Sequence, residues 1–233
     1  MKKIKKILRK ILLRTGVPIY SATVRWPHDE GFNVVRDRVN TLNIAGIPDD
    51  RCFTLLKAAQ SVAHLPGELA ECGCRKGKST HFILAAIGTD CNKKIHIFDS
   101  FEGLSEPTNK DKLTSGSQAW QEGALASSQD ILTDNLKLYG HMLVIHKGWI
   151  PEKFTEVKDQ TFSFLHIDVD LYDPTLDSLK FFYERMTKGG IIMCDDYGSV
   201  SCPGAKKAFD EFFADKPENV VELPSAQALV IKA

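Results

Sequence analysis

From residue 67 onward the chain alternates short apolar, β-rich runs with stretches whose apolar residues recur at helical spacing. Residues 67–72 (GELAEC) read as a first strand, 78–87 as a helix and 94–98 (KIHIF) as a second strand. Residues 128–139 read as a helix that opens on Ser128 with acidic Asp130 in its first turn, which is N-terminal capping chemistry. Strands follow at 142–146, 162–167 (FSFLHI) and 190–194 (GIIMC), with a proline-started helix at 174–186 between the last two. A further helix at 205–213 and two closing strands at 220–223 and 228–231 complete the pattern. Strand and helix in alternation predict an α/β fold with a doubly wound, mostly parallel seven-stranded sheet ending in a C-terminal β-hairpin.

The N-terminal residues differ in kind. Residues 1–14 hold seven of the 30 basic residues and no acid, which leaves 23 basic against 30 acidic residues in the rest, a net of −7. Ile4, Ile7, Leu8, Ile11 and Leu12 fall on one helix face among these charges. The segment reads as a basic amphipathic helix, suited to an anionic membrane surface and equally to docking on its own domain or a partner. The expected organisation is an arm and substrate-side region over 1–40 and one enzymatic domain over 41–233. An acidic body argues against nucleic acid as a partner. No apolar run reaches the roughly 18 residues a membrane span needs. Six cysteines without paired CxxC spacing point to reduced thiols and a cytoplasmic setting, at the inner face of the membrane if the arm binds there; homo-oligomerisation is left open.

In doubly wound sheets ligands bind at the carboxyl ends of the strands. The first strand is followed there by Glu71-Cys-Gly73-Cys-Arg-Lys-Gly77-Lys-Ser79-Thr80. Its G-x-x-x-G spacing is not the G-x-G-x-x-G of a dinucleotide fold, which argues against a dehydrogenase. Glu71 has two readings, a ligand contact or a partner of Arg75 or Lys78. The second strand ends on Asp99, where a carboxylate can accept both hydroxyls of a ribose. Strand, glycine loop, helix, strand and acid make a nucleoside-binding unit without a pyrophosphate cradle, and S-adenosylmethionine fits that description.

The fourth and fifth strands end on acids as well. His166-Ile-Asp168-Val-Asp170 sets two carboxylates at alternate positions, predicted to point to one side of the strand end, and Asp195-Asp196 follows the fifth strand. Carboxylates packed this closely repel unless a cation neutralises them, and an all-oxygen set favours magnesium, calcium or manganese over zinc. Beside a methyl donor, a metal could orient a hydroxyl acceptor and lower its pKa while a neighbouring carboxylate takes the proton.

Three segments carry a resemblance to a known family: ECGCRKGKST (71–80), IFDSFEGL (97–104) and HIDVDLYDPTLDSLKFFYERMTKGGIIMCDDYG (166–198). They resemble the macrocin O-methyltransferases, metal-dependent class I methyltransferases that act on sugar hydroxyls of macrolide and aminocoumarin antibiotics. The resemblance covers roughly residues 40–231. It implies a metal, Mg2+ or a similar cation, held by Asp168, Asp195 and Asp196, with Asp170 as general base. It implies S-adenosyl-L-methionine contacts from Glu71, Gly73, Gly77, Ser79, Asp99 and the Ser100-Phe101 turn, and further ones from Thr41, Leu42, Ser127 or Ser128 near the adenine, and Gly148-Trp149. The acceptor it implies is a small molecule or glycan. Residues 139–149 are shorter than the family's usual stretch and residues 1–20 are unlike its antibiotic-tailoring members, so the acceptor's identity does not carry over. A glycosyltransferase using Asp168-x-Asp170 to hold a nucleotide-sugar's metal, and a non-catalytic membrane-tethered module, are the competing readings.

Overall fold

The computed structural model describes residues 25–233, so the predicted amphipathic helix at 1–14 lies outside the described residues. The chain divides into two units, with the boundary between residues 34 and 35. The first holds a short 3-10 turn (Trp26–His28) and the start of α1 (Glu30–Thr41), which is capped by Asp29, its carboxylate accepting the Phe32 N–H at 2.8 Å. That helix runs through position 40, where the sequence suggests a boundary.

The second unit is built on seven strands: β1 (Glu68–Cys72), β2 (Ile95–Asp99), β3 (Leu143–Lys147), β4 (Phe162–Ile167), β5 (Met186–Cys194), β6 (Val221–Glu222) and β7 (Ala228–Ile231). Their order is β3-β2-β1-β4-β5-β7-β6. The first five are parallel, and β7 and β6 close the sheet antiparallel, as the strand pattern predicts. Strand order reverses between β1 and β4, so a crevice opens beyond their carboxyl ends.

Both faces of the sheet are covered, and for that reason the central strands read as nearly continuous apolar runs. Ala70, Cys72, Leu165 and Ile167 pack on one face with Phe98, Phe182 and Phe209, while Leu69, Ile97, Phe164 and Met193 pack on the other with Leu55, Val62 and Ile83. The helices doing the covering are α2 (Asp49–Val62), α3 (Lys78–Ile87), α4 (Gln129–Asn135), α5 (Tyr172–Phe182) and α6 (Pro203–Phe213).

Three elements depart from the sequence reading. The helix expected over 128–139 ends at Asn135 and tightens into 3-10 turns over Lys137–Met142. The helix expected from Pro174 begins at Tyr172, because Asp111, far away in sequence, accepts the Tyr172 N–H at 2.7 Å and satisfies a free helix-start donor. It also stops at Phe182, since β5 already starts at Met186. That strand is longer than the run at 190–194 because its register with β4 shifts between Phe162 and Phe164, leaving residues 187–190 as an irregular stretch containing Gly189 at φ +81°.

Candidate active site

A cavity of 650 Å³ lies at the carboxyl ends of β1, β2, β4 and β5. One wall is the loop after β1. Gly73 sits there at φ +78°, and a Cβ on it would come within 1.9 Å of the Asp168 carbonyl oxygen, so only glycine lets the two strand ends pass this closely. The second glycine, Gly77, takes φ +84° as the N-cap of α3 and faces Leu132 and Leu136 rather than the cavity.

Asp99 braces this loop. Its Oδ2 accepts the N–H groups of Cys74 (3.0 Å) and Arg75 (2.9 Å) and faces the Cys74 thiol at 3.5 Å, while Oδ1 accepts the Phe101 N–H at 2.7 Å. A carboxylate has about four acceptor positions. One therefore remains on Oδ1, enough for a single ribose hydroxyl but not for the two expected from the sequence.

Among the residues named from sequence, Gly73, Ser79, Asp99, Ser100, Gly148 and Trp149 line the cavity together with Asp168, Asp170, Asp195 and Asp196. The others do not. Thr41 is exposed at the end of α1, its hydroxyl donating to the Arg38 carbonyl, and Leu42 follows it outside the cavity. Phe101 is buried in the core, Ser128 caps α4, and Ser127 keeps a buried hydroxyl with no hydrogen-bond partner.

Glu71 departs most from expectation. Wholly buried behind the loop, it pairs with neither Arg75 nor Lys78; its Oε2 accepts the Thr80 hydroxyl at 2.5 Å and its Oε1 faces His166 Nδ1 at 3.0 Å. The other imidazole nitrogen lies 3.6 Å from Asp195 Oδ1, an ion-pair separation. Burial opposes the charge on His166, but the carboxylates on both sides win and hold its pKa up at about 10. His166 is thus a buried cation shared by Glu71 and Asp195.

Beyond β4 the strand alternation fails. Asp168 and Asp170 follow its last residue, Ile167, and Asp170 adopts a left-handed conformation at φ +60°, which turns the two carboxylates onto different partners. Asp168 meets Asp195 and Asp196, with ligand oxygens within 4.8 Å of one another; Asp170 instead meets Asp196 and Cys202 within the same limit. The Asp170 N–H donates to Asp196 Oδ2 at 3.0 Å.

The sequence pointed to neither of Asp195's closest partners. From α2, the Arg51 guanidinium donates to Asp195 Oδ2 at 2.5 Å and to the Ser225 carbonyl at 2.9 Å. From the turn before β7, the Gln227 amide donates to Asp195 Oδ1 at 2.7 Å. Burial pushes the Asp195 pKa up, yet His166 and Arg51 outweigh it and hold the carboxyl below its usual range. For Asp168 and Asp196 the support from His166 and Arg51 is weaker and is outweighed. Burial, and then the charges of neighbouring acids, hold both well above the carboxylate range, and Asp170 is pushed up to about 6 by burial and Asp195 against the opposing Cys202 hydrogen bond. The rest of the wall comes from residues 45–48 ahead of α2, from Arg75, Lys76 and Lys78, and from the segment between β2 and α4, which contributes Leu104, Trp120 and Leu125.

Comparison with known proteins shows what the chain is similar to. A family model described as Macrocin-O-methyltransferase (TylF) matches residues 31–222. The 8-demethyl-8-(2,3-dimethoxy-alpha-L-rhamnosyl)-tetracenomycin-C 4'-O-methyltransferase of Streptomyces olivaceus is 27% identical over 148 residues, which cover 60% of this chain and 57% of that protein. Demethyldecarbamoylnovobiocin O-methyltransferase of Streptomyces niveus is 25% identical over 158 residues, 65% of this chain and 60% of the relative. The chain therefore spans less than two thirds of the length of these curated relatives. Among solved structures, the calicheamicin methyltransferase CalS11 superposes with a TM-score of 0.64 at 21% identity, covering 87% of this chain and 93% of that one, and so shares the fold.

Proposed function

Since the chain belongs to the macrocin O-methyltransferase family, we propose that it transfers the methyl group of S-adenosylmethionine to a hydroxyl of a sugar-bearing small molecule, with the aid of a hard divalent cation. The observation that carries this reading is the placement of the glycine loop with Asp99 and of the acid cluster on walls of one cavity. Methyl transfer needs sulfonium and hydroxyl brought together in line, and most of the catalysis is that positioning.

Asp99, with an acceptor position left on Oδ1, and Ser100 would take the nucleoside beside the loop that Gly73 opens. Asp168, Asp195 and Asp196 would hold the cation. Their oxygens lie close enough to share one ion, and burial with the neighbouring acids holds Asp168 and Asp196 above the carboxylate range, as expected where a cation would complete the charge balance. Oxygen donors alone suit magnesium. Such a cation, when bound, orients an acceptor hydroxyl and acidifies it. Asp170, beside the trio and in contact with Asp196 but outside the set of three, would take the proton, and its pKa near 6 matches a base that works close to neutral pH. A glycosyltransferase reading would leave the glycine loop, Asp99 and the Asp195-Asp196 pair without a role, and the family match does not favour it.

The relative named for a rhamnosyl 4'-O-methylation supplies the first acceptor to try. The test is transfer of label from methyl-labelled S-adenosylmethionine to methyl α-L-rhamnoside and other deoxyhexosides, with calorimetric titration of the cofactor alongside. Binding of S-adenosylmethionine and transfer that stops on chelation are expected. Absence of cofactor binding overturns the reading, and full turnover in excess chelator removes the cation from it.

A further inference from the structure

Cys202, immediately before α6, is buried at 2% exposure and lines the cavity. Its thiol lies between two side chains from distant parts of the chain. Trp120 Nε1 stands 3.4 Å from Sγ, and Sγ stands 3.4 Å from Asp170 Oδ1. The direction of this chain of contacts follows from its first member, because an indole nitrogen only donates. Sγ must accept from Trp120, and its own proton is then free to point at Asp170. The other neighbour of the thiol, Ser201 Oγ at 3.6 Å, can accept from Ser199 Oγ at 2.9 Å and donate to Sγ, which leaves the thiol proton for Asp170.

Trp120 belongs to the segment of residues 100–128, which walls the cavity. The same segment is anchored at the start of α5 through Asp111, which accepts from Tyr172 N–H and, within the segment, from Thr108 N–H and Thr108 Oγ1. The wall thus touches the Asp168–Tyr172 turn at two places, the backbone near its end and, through Cys202, the side chain of Asp170.

We propose that Cys202 is a positioning residue for Asp170: polarised by Trp120, its S–H occupies Oδ1 and leaves Oδ2 as the atom that takes the acceptor proton. The assignment rests on the reading of Asp170 as base. Asp170 is then held from two directions, through its N–H on Asp196 Oδ2 and through Oδ1 on Cys202. The segment that carries Trp120 thereby gains a direct hold on the orientation of the base.

Two measurements test this. Infrared difference spectra of wild type minus Cys202→Ala isolate the Cys202 S–H stretch, which should lie below the free-thiol frequency, rise toward it in Asp170→Ala and shift in Trp120→Phe. A free-thiol band in the wild type, or one unmoved in Asp170→Ala, overturns the proposal without any acceptor being needed. With methyl α-L-rhamnoside and S-adenosylmethionine, Cys202→Ala should lower kcat about fivefold, the size of one modest hydrogen bond, at unchanged KM for the cofactor. Cys202→Ser, which keeps a donor, should recover most of it, and Cys202→Ala should add nothing in an Asp170→Asn background. If Asp170→Asn keeps wild-type kcat, the base reading falls and the positioning role with it. If Asp170→Asn loses kcat and Cys202→Ala does not, the positioning role alone falls.

Discussion

Glu71→Gln separates two roles that the acid at the end of β1 could have. Gln keeps the shape, with its single carbonyl turned to His166 and its NH2 facing a Thr80 hydroxyl that must now accept, but it removes the negative charge that faces the His166 imidazolium at 3.0 Å. Breaking a buried ion pair costs about 3–5 kcal/mol when a charge is left unpartnered. Here His166 retains Asp195 at 3.6 Å, and the Gln carbonyl can still accept from Nδ1, so the loss should fall below that range, at about 2–3 kcal/mol, the worth of a charged hydrogen bond. For a chain of this size about 2–4 °C of Tm accompanies each kcal/mol, which predicts a Tm lower by about 4–12 °C. Urea unfolding followed by circular dichroism should show a lower midpoint at an unchanged slope. Calorimetric titration well below both melting temperatures should find cofactor affinity within about threefold of wild type, since a factor of three is less than 1 kcal/mol. The opposite pattern, an unchanged midpoint with cofactor affinity lost, would show that Glu71 contacts the ligand and that the buried arrangement described above is not what the residue is for.

Gly73→Ala should destabilise by at least about 3 kcal/mol in thermal melts, because overpacking against the Asp168 carbonyl adds to a left-handed backbone that alanine disfavours; a melt within 1 °C of wild type, an effect of only about half a kcal/mol, would refute the close passage. Millimolar magnesium should raise the Tm of the wild type and not of Asp168→Asn, with chelator reversing the rise, and equal rises in both proteins would place the ion elsewhere. Glu218 is buried and accepts from Tyr183, Lys232 and the Ala233 N–H; although burial works against its charge, these donors hold its pKa down at about 2. Because the folded value lies below the unfolded one, its stabilisation of about 2–3 kcal/mol is complete above pH 4.5 and is lost as pH falls toward 2; Glu218→Gln should flatten that limb of a stability-against-pH curve, and an unaltered limb would contradict it.

Much of this was legible in the sequence, for identifiable reasons. The strands were, because parallel strands covered on both faces must be apolar almost throughout, and the acids beyond them stood out against that background. Helix α2 carried no equally clear mark, since its apolar residues Leu55, Ala59 and Val62 are interleaved with half-buried polar ones. Glu71 was found but given the wrong surroundings. What buries it is His166 on the neighbouring strand, and pairing register is a tertiary fact. The Asp168-x-Asp170 spacing suggested one side because alternation holds inside a strand, and a single left-handed residue just past the strand cancels it. Arg51, Cys202 and Gln227 had no local signature, for each acquires its role only from a partner between 32 and 144 residues away.

The grip on Asp195 has a consequence for how this protein comes into being on the ribosome. Arg51 meets the Ser225 carbonyl across 174 positions of chain, and Gln227 reaches back to the same carboxylate that Arg51 holds. A nascent chain that has already paired β1 with β4 and β4 with β5 can hold Asp195 through Arg51 and His166, and completes the grip only when residues 225–231 are in place. Contacts closing so long a loop form late and slowly. The full clasp on Asp195 would then arrive with β7, after the strands that carry the other acids have formed.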